Sequence, residues 1–275
     1  MFRKLTKFVI RKVKEFGLFF VSKEQNYLTK FGFAMNLNLK NQVDREIYLD
    51  YFELDSQFFF NSIIEKNMIV FDIGANIGLY SLIALQKMEN SGFVHSFEPA
   101  PNAYSKLTQN INLNKFKNVK VNQMGVSSST GELLFNLCED DAYNSIGEKP
   151  LQKIREVIKI KSTTINNYCK ENNISKIDVI KIDTEGAELL VLEGGGDLLS
   201  HENGPIILCE FNKNSNYGFG HSIESYQEIL NGYSYQLFIL ENFFLKQFDL
   251  ETYNGSEIIC LKGNHIKMLK DKFEK

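Results

Sequence analysis

Alternating strand and helix patterns from residue 68 onward predict a doubly wound α/β domain with a mostly parallel sheet. Three observations carry this reading. The run Met68-Ile69-Val70-Phe71 is short and wholly apolar, as strands buried on both faces of a parallel sheet are. Such runs recur, and a segment with helical spacing follows most of them. The first run ends in Asp72-Ile73-Gly74-Ala75-Asn76-Ile77-Gly78, a turn in which glycines let the backbone reverse sharply and approach a ligand with no Cβ in the way.

The elements follow in order. Residues 1–21 read as a helix, and 31–66 as a short hairpin region followed by a helix over 56–65. Beyond the glycine turn, 79–87 continues as an apolar helix and 93–97 as a second strand. Pro99 and Pro101 open a helix over 102–112, where proline in the first turn is tolerated. A third strand spans 119–124. Residues 133–137 and 157–161 read as antiparallel excursions around a polar loop at 139–156. A helix over 164–172 leads to a fourth strand at 177–182, and the next helix starts at 187. A fifth strand at 205–211 and a helix at 222–230 follow. Residues 235–240 and 257–261 close the pattern as a hairpin expected at the sheet edge. The extension is placed at 1–66 and the main domain at 67–275.

Composition narrows the function classes. A hydrophobic fraction of 43% supports a real core, and a net charge of -3 argues against a broad nucleic-acid surface. Cys138, Cys169, Cys209 and Cys260 form no Cys-x-x-Cys pair. They read as reduced, packed thiols in keeping with a cytoplasmic protein. No apolar run reaches the roughly 18 residues of a membrane span. Phe2, Leu5, Val9, Val13, Phe16 and Phe20 lie on one face of the first helix, with Arg3, Lys4, Lys7, Arg11 and Lys14 opposite. This face either packs on the domain or rests peripherally on an anionic membrane through residues 1–21.

Ligands of doubly wound sheets bind beyond the carboxyl ends of the strands. About 20 residues past Gly78 the second strand ends in Glu98, placed to accept hydrogen bonds from ribose hydroxyls. A dinucleotide fingerprint needs a glycine where Asn76 stands, and Asp72 at the turn would repel a pyrophosphate while attracting a sulfonium or an α-ammonium. The charge pattern therefore favours S-adenosyl-L-methionine over a nicotinamide cofactor, which remains the competing reading.

Residues 70–78, Phe97-Glu98-Pro99-Ala100-Pro101 and Lys181-Ile182-Asp183-Thr184-Glu185-Gly186-Ala187-Glu188 together resemble the FkbM-type family of S-adenosylmethionine-dependent methyltransferases. The likeness covers roughly residues 45–262 and rests on the three motifs in this order. It implies a Rossmann-like, seven-stranded methyltransferase sheet with an antiparallel last strand. It also implies methylation of a hydroxyl on a saccharide or secondary metabolite, with protein or lipid acceptors as the alternative. By the same resemblance Asp72, Gly74, Asn76 and Gly78 line the methionine end of the cofactor, Glu98 holds the ribose, and Gly125 lies next to the adenine.

The chemistry is expected at the fourth and fifth strand ends. Alternation in an extended chain would aim Lys181, Asp183 and Glu185 the same way. Asp183 or Glu185 is then placed to hold the acceptor hydroxyl or take its proton. Glu210 ends the fifth strand, where a lone buried charge is costly without a task. His221 closes a loop expected to overhang the pocket. A divalent metal on Asp183, Glu185 and Glu210 remains open. His95 reads as a core residue, and His201 and His265 as solvated loop positions.

Overall fold

The computed structural model describes residues 23–139, 144–146, 153–211, 221–251, 253, 255 and 257–273. The helix expected over 1–21 and much of the loops at 139–156 and 212–221 lie outside them. The chain divides into two compact units between Leu54 and Asp55.

In the smaller unit, β1 (Glu24–Leu28) and β2 (Ala34–Asn38) pair antiparallel, from Glu24↔Asn38 to Leu28↔Ala34. The period of two is visible in β2, where Met35 and Leu37 are buried between half-exposed neighbours. Helix α1 (Gln42–Tyr48) starts at Asn41, whose side chain accepts from the Asp44 N–H, the usual way of satisfying a free helix amide.

The larger unit opens at Asp55, within α2 (Leu54–Ile63), a helix placed with the extension in the sequence reading but packed here on residues far downstream. Phe60 meets Tyr80 edge-on at 5.1 Å, Phe59 lies 5.0 Å from Phe273, and the Ser56 hydroxyl donates to Glu257. Then come β3 (Ile69–Ile73), α3 (Leu79–Met88), β4 (Phe93–Phe97), α4 (Pro101–Leu113), β5 (Val119–Asn122), β6 (Gly125–Val126), β7 (Gly131–Cys138) and β8 (Ile154–Thr163). They are followed by α5 (Ile165–Glu171), β9 (Val179–Ile182), α6 (Glu188–Glu193), α7 (Gly196–Ser200), β10 (Ile206–Glu210) and α8 (Ile223–Gly232). The last elements are β11 (Gln236–Glu241), β12 (Phe244–Gln247), β13 (Glu257–Leu261) and α9 (Gly263–Phe273).

The main sheet runs β12-β11-β13-β10-β9-β3-β4-β5, and β6-β8-β7 form a second, smaller sheet. Parallel pairing joins β5, β4, β3, β9 and β10, so the doubly wound α/β core is as expected. Residues 131–138 and 154–163 are the expected antiparallel excursion.

Two expectations about the sheet are corrected. The main sheet has eight strands rather than seven, and three of its pairings are antiparallel: β10 with β13, β13 with β11, and β11 with β12. The added strand follows a two-residue turn, Asn242-Phe243, with φ of 53° and 70°. Such a hairpin turn needs positive φ at both positions and normally announces itself with Asn-Gly or Asp-Gly. Phenylalanine gives no such signal. The two final strands of the sequence reading, β11 and β13, do pair antiparallel, from Gln236↔Leu261 to Phe238↔Ile259, but not at the edge: β13 lies between β10 and β11, and β12 takes the edge. A further helix, α9, follows β13 and holds His265, which is half-buried rather than a solvated loop residue.

The core lies where β3, β9 and β10 are wholly enclosed. Phe71, Ile73, Val179, Ile180, Ile182, Ile207 and Cys209 have essentially no exposure. Each such side chain is worth about 1.5–3 kcal/mol on burial. Phe71, Phe97 and Tyr168 form an aromatic cluster with ring centroids 4.7–5.7 Å apart. His95 belongs to this core, its Nδ1 2.9 Å from the Tyr168 hydroxyl. All four cysteines are buried.

Candidate functional site

The parallel strands β3, β4, β5, β9 and β10 end on the same side of the sheet, and winding reverses between β3 and β9. The residues marked in the sequence gather there.

The first turn is locked by its own backbone. The amides of Gly74 and Ala75 donate to the Phe97 carbonyl at 3.0 and 2.9 Å. Gly74 has φ +80°, and a Cβ on it would lie 1.7 Å from the Asp183 carbonyl oxygen. No side chain fits between the turns after β3 and β9. Asn76 and Gly78 also take positive φ, and Gly78 leads into α3.

Glu98 ties this turn to the start of α4. One of its carboxylate oxygens accepts from the Asn76 N–H and the other from the Ala100 N–H, both at 2.8 Å. Burial pushes its pKa up to about 7, although both amides pull the other way. A carboxylate has about four acceptor positions. Two are used here, leaving one on each oxygen.

Asp72 lies deeper than its sequence position suggested. It is 2% exposed, and its Oδ2 accepts from the Ser81 amide at 2.8 Å and the Ser81 hydroxyl at 2.5 Å. Burial raises its pKa to about 6, against the pull of Ser81 and Lys181. Ser81 was not singled out from the sequence; the one available signal is a hydroxyl in the first turn of the helix behind the glycine turn. Gly125 begins β6 with Ile160 as its nearest neighbour.

The carboxylates after β9 and β10 converge. Oxygens of Asp183, Glu185 and Glu210 all lie within 4.8 Å of one another. Strand alternation does not bring them together, and that expectation is corrected. The strand ends at Ile182, and Glu185 reaches the cluster through a left-handed turn, with φ of 54° followed by 108° at Gly186. Glu188 holds this turn in place. Its Oε1 accepts from the Thr184 N–H at 2.8 Å, the Thr184 hydroxyl at 3.0 Å and the Gly186 N–H at 3.0 Å. Its Oε2 accepts from the Tyr226 hydroxyl at 3.2 Å.

Lys181 is 1% exposed, and its Nζ lies 2.9 Å from Glu257, 3.4 Å from Asp183 and 5.1 Å above the Tyr80 ring. Its main partner sits on β13, 76 residues away, and no local pattern signals it. Glu210 has its pKa raised well above the usual range, first by burial and then by Asp183, Glu185 and Glu188. His221 hydrogen-bonds to the Gly186 backbone near Glu193; burial lowers its pKa, outweighing both neighbours.

Residues 72–237 match the family described as the Methyltransferase FkbM domain. The chain belongs to the FkbM methyltransferase family. The matched span runs from Asp72 to the start of β11 and so contains every candidate residue. FkbM-family membership makes S-adenosyl-L-methionine the cofactor, in keeping with the two acceptor positions left on Glu98 and the acidic Asp72 in place of a phosphate cradle.

Three relatives give the family context. The chain is 29% identical to Methyltransferase sdnD of Sordaria araneosa over 192 residues, covering 56% of this chain and 74% of that protein. It is 28% identical to Hexuronic acid methyltransferase AglP of Haloferax volcanii over 143 residues, covering 52% and 56%. It is 23% identical to 2-O-methyltransferase NoeI of Sinorhizobium fredii over 154 residues, covering 50% and 62%. The match thus spans less than two thirds of the last two relatives.

Proposed function

We propose that this FkbM-family chain moves the methyl group of S-adenosyl-L-methionine to a hydroxyl of a saccharide or secondary metabolite. The observation that carries the reading is the set of carboxylates Asp183, Glu185 and Glu210 at the strand ends beside the glycine turn. A hexuronic acid methyltransferase and a 2-O-methyltransferase among the relatives support an oxygen acceptor on a sugar.

In this proposal Glu98 accepts the ribose hydroxyls. Asp72, Gly74, Asn76 and Gly78 line the methionine end, and Gly125 borders the adenine. The cofactor supplies a methyl group already activated on a sulfonium. The chain's share is to hold the acceptor oxygen in line and to receive its proton. One oxygen–carbon bond forms as the sulfur–carbon bond breaks, and the proton passes to Asp183, Glu185 or Glu210. A carboxylate with a raised pKa is the stronger base once ionised. His221, beside Gly186, is the further candidate. Positioning alone contributes about 7–11 kcal/mol in favourable systems.

The test is mass spectrometry of a saccharide panel incubated with the protein and cofactor, where a product heavier by one methyl group is expected. Asp183→Asn and Glu185→Gln preserve shape and remove basicity. At least one should lose single-turnover rate by about 10²-fold or more with cofactor affinity kept. Normal turnover in both variants would move the base to Glu210 or His221.

The same proposal includes peripheral contact of residues 1–21 with anionic membrane, supported by the basic amphipathic sequence alone. Among the described residues no helix is long and apolar enough to cross a membrane.

A further inference from the structure

We propose that Asp183, Glu185 and Glu210 form a binding site for one divalent cation with a preference for hard oxygen ligands. The distances fit a shared ion. Two oxygens on a common magnesium stand at most about 4.2 Å apart, and on calcium about 5.2 Å. The three carboxylates lie within 4.8 Å of one another.

A second observation points to the ligand independently. The Oε2 of Glu210 is enclosed and has no hydrogen-bond donor, on the same carboxylate that supplies an oxygen to this cluster. A buried carboxylate oxygen without a donor is costly, and here two further carboxylates crowd it. Lys181 does not fill the need, because its ammonium sits between Glu257 and Asp183. Glu188 is excluded as a ligand, since Thr184, Gly186 and Tyr226 already occupy its oxygens.

Either a proton shared between Asp183 and Glu210 or a cation must relieve the cluster. Three monodentate ligands leave a hydrated ion with open positions. Those positions take acceptor oxygens, so the ion orients a diol or a hydroxy-carboxylate beside the methyl group. That role rests on the methyl-transfer reading; the binding of the ion does not.

The experiment uses manganese(II) as the probe, titrated into the full chain without acceptor and followed by electron paramagnetic resonance. One bound ion per chain is expected, displaced by excess magnesium or calcium. Asp183→Asn and Glu210→Gln should each weaken binding at least tenfold, whereas Glu132→Gln on the exposed face of β7 should not. S-adenosylhomocysteine affinity, measured on the same samples by calorimetry, should change little. If Glu210→Gln fails to fold, Asp183→Asn and Glu185→Gln decide the matter. Absence of bound manganese in the wild type overturns the proposal in favour of a shared proton, and so does equal binding in the variants. Loss of S-adenosylhomocysteine binding in the wild type would instead strike the methyl-transfer reading and leave the cation site standing.

Discussion

Glu98 serves the fold and, in the proposed function, the ligand as well. Its two backbone hydrogen bonds stitch the glycine turn to α4, yet burial holds its pKa near 7. In the proposed site ribose hydroxyls donate to the ionised form, so binding and deprotonation are linked. Affinity for S-adenosylhomocysteine should therefore be full above about pH 8 and fall as the pH drops through about 7. Glu98→Gln should lower affinity roughly tenfold at about pH 8 and flatten the pH profile. Calorimetry across this range checks it; an unchanged pH dependence in the variant would remove Glu98 from the ribose site.

Among the elements, the turn between β9 and α6 matters most, because it brings Glu185 to Asp183. A left-handed residue that is not glycine persists only when its surroundings hold it. Glu188 does so from the first turn of α6. Glu188→Ala would leave the Thr184 and Gly186 amides and the Tyr226 hydroxyl without their acceptor. A loss of about 2–4 kcal/mol is expected, read by denaturant unfolding, with methyl transfer falling further than cofactor affinity. Full stability in this variant would show that the turn holds its own shape. The hairpin at Asn242-Phe243 is a second left-handed turn, in which Phe243 packs 5.1 Å from Phe58 on α2.

For the whole molecule, buried ionisable groups set the pH response. Asp72, Glu98, Glu188 and Glu210 all have raised pKa values, chiefly from burial. Between the unfolded and folded values the native state holds more protons than the unfolded chain. Stability contributed by these groups is present at low pH and is lost as pH rises through the folded pKa. His95 and His265 are lowered to about 4, mainly by burial, and act oppositely: their contribution is lost as pH falls below about 6.5. Above about 6.5 only the carboxylates remain in play, so the melting temperature of the cofactor-free protein should fall between about pH 6.5 and 8. Calorimetric scans test this, and a rising melting temperature over that interval would mean that these carboxyls are solvated.

Local pattern was enough for the alternating core strands, the helices after them, the glycine turn and the placement of Glu98, because hydrophobic periodicity and backbone-permissive residues act within a few positions. The Asp183-to-Glu188 motif was legible through the family resemblance, whereas the left-handed turn that carries Glu185 to Asp183 was not. Tertiary structure decided what depends on residues far apart in the chain. It inserted β13 between β10 and β11, added β12 behind a turn with no glycine, and moved α2 onto the larger unit through aromatic contacts. It paired Lys181 with Glu257, and drew Glu210 to Asp183 and Glu185. Each of these is a contact between side chains tens of residues apart or a backbone geometry stabilised by packing. A one-dimensional pattern carries the propensity for an element, whereas the partner that satisfies a buried charge is chosen only when the layers close on one another.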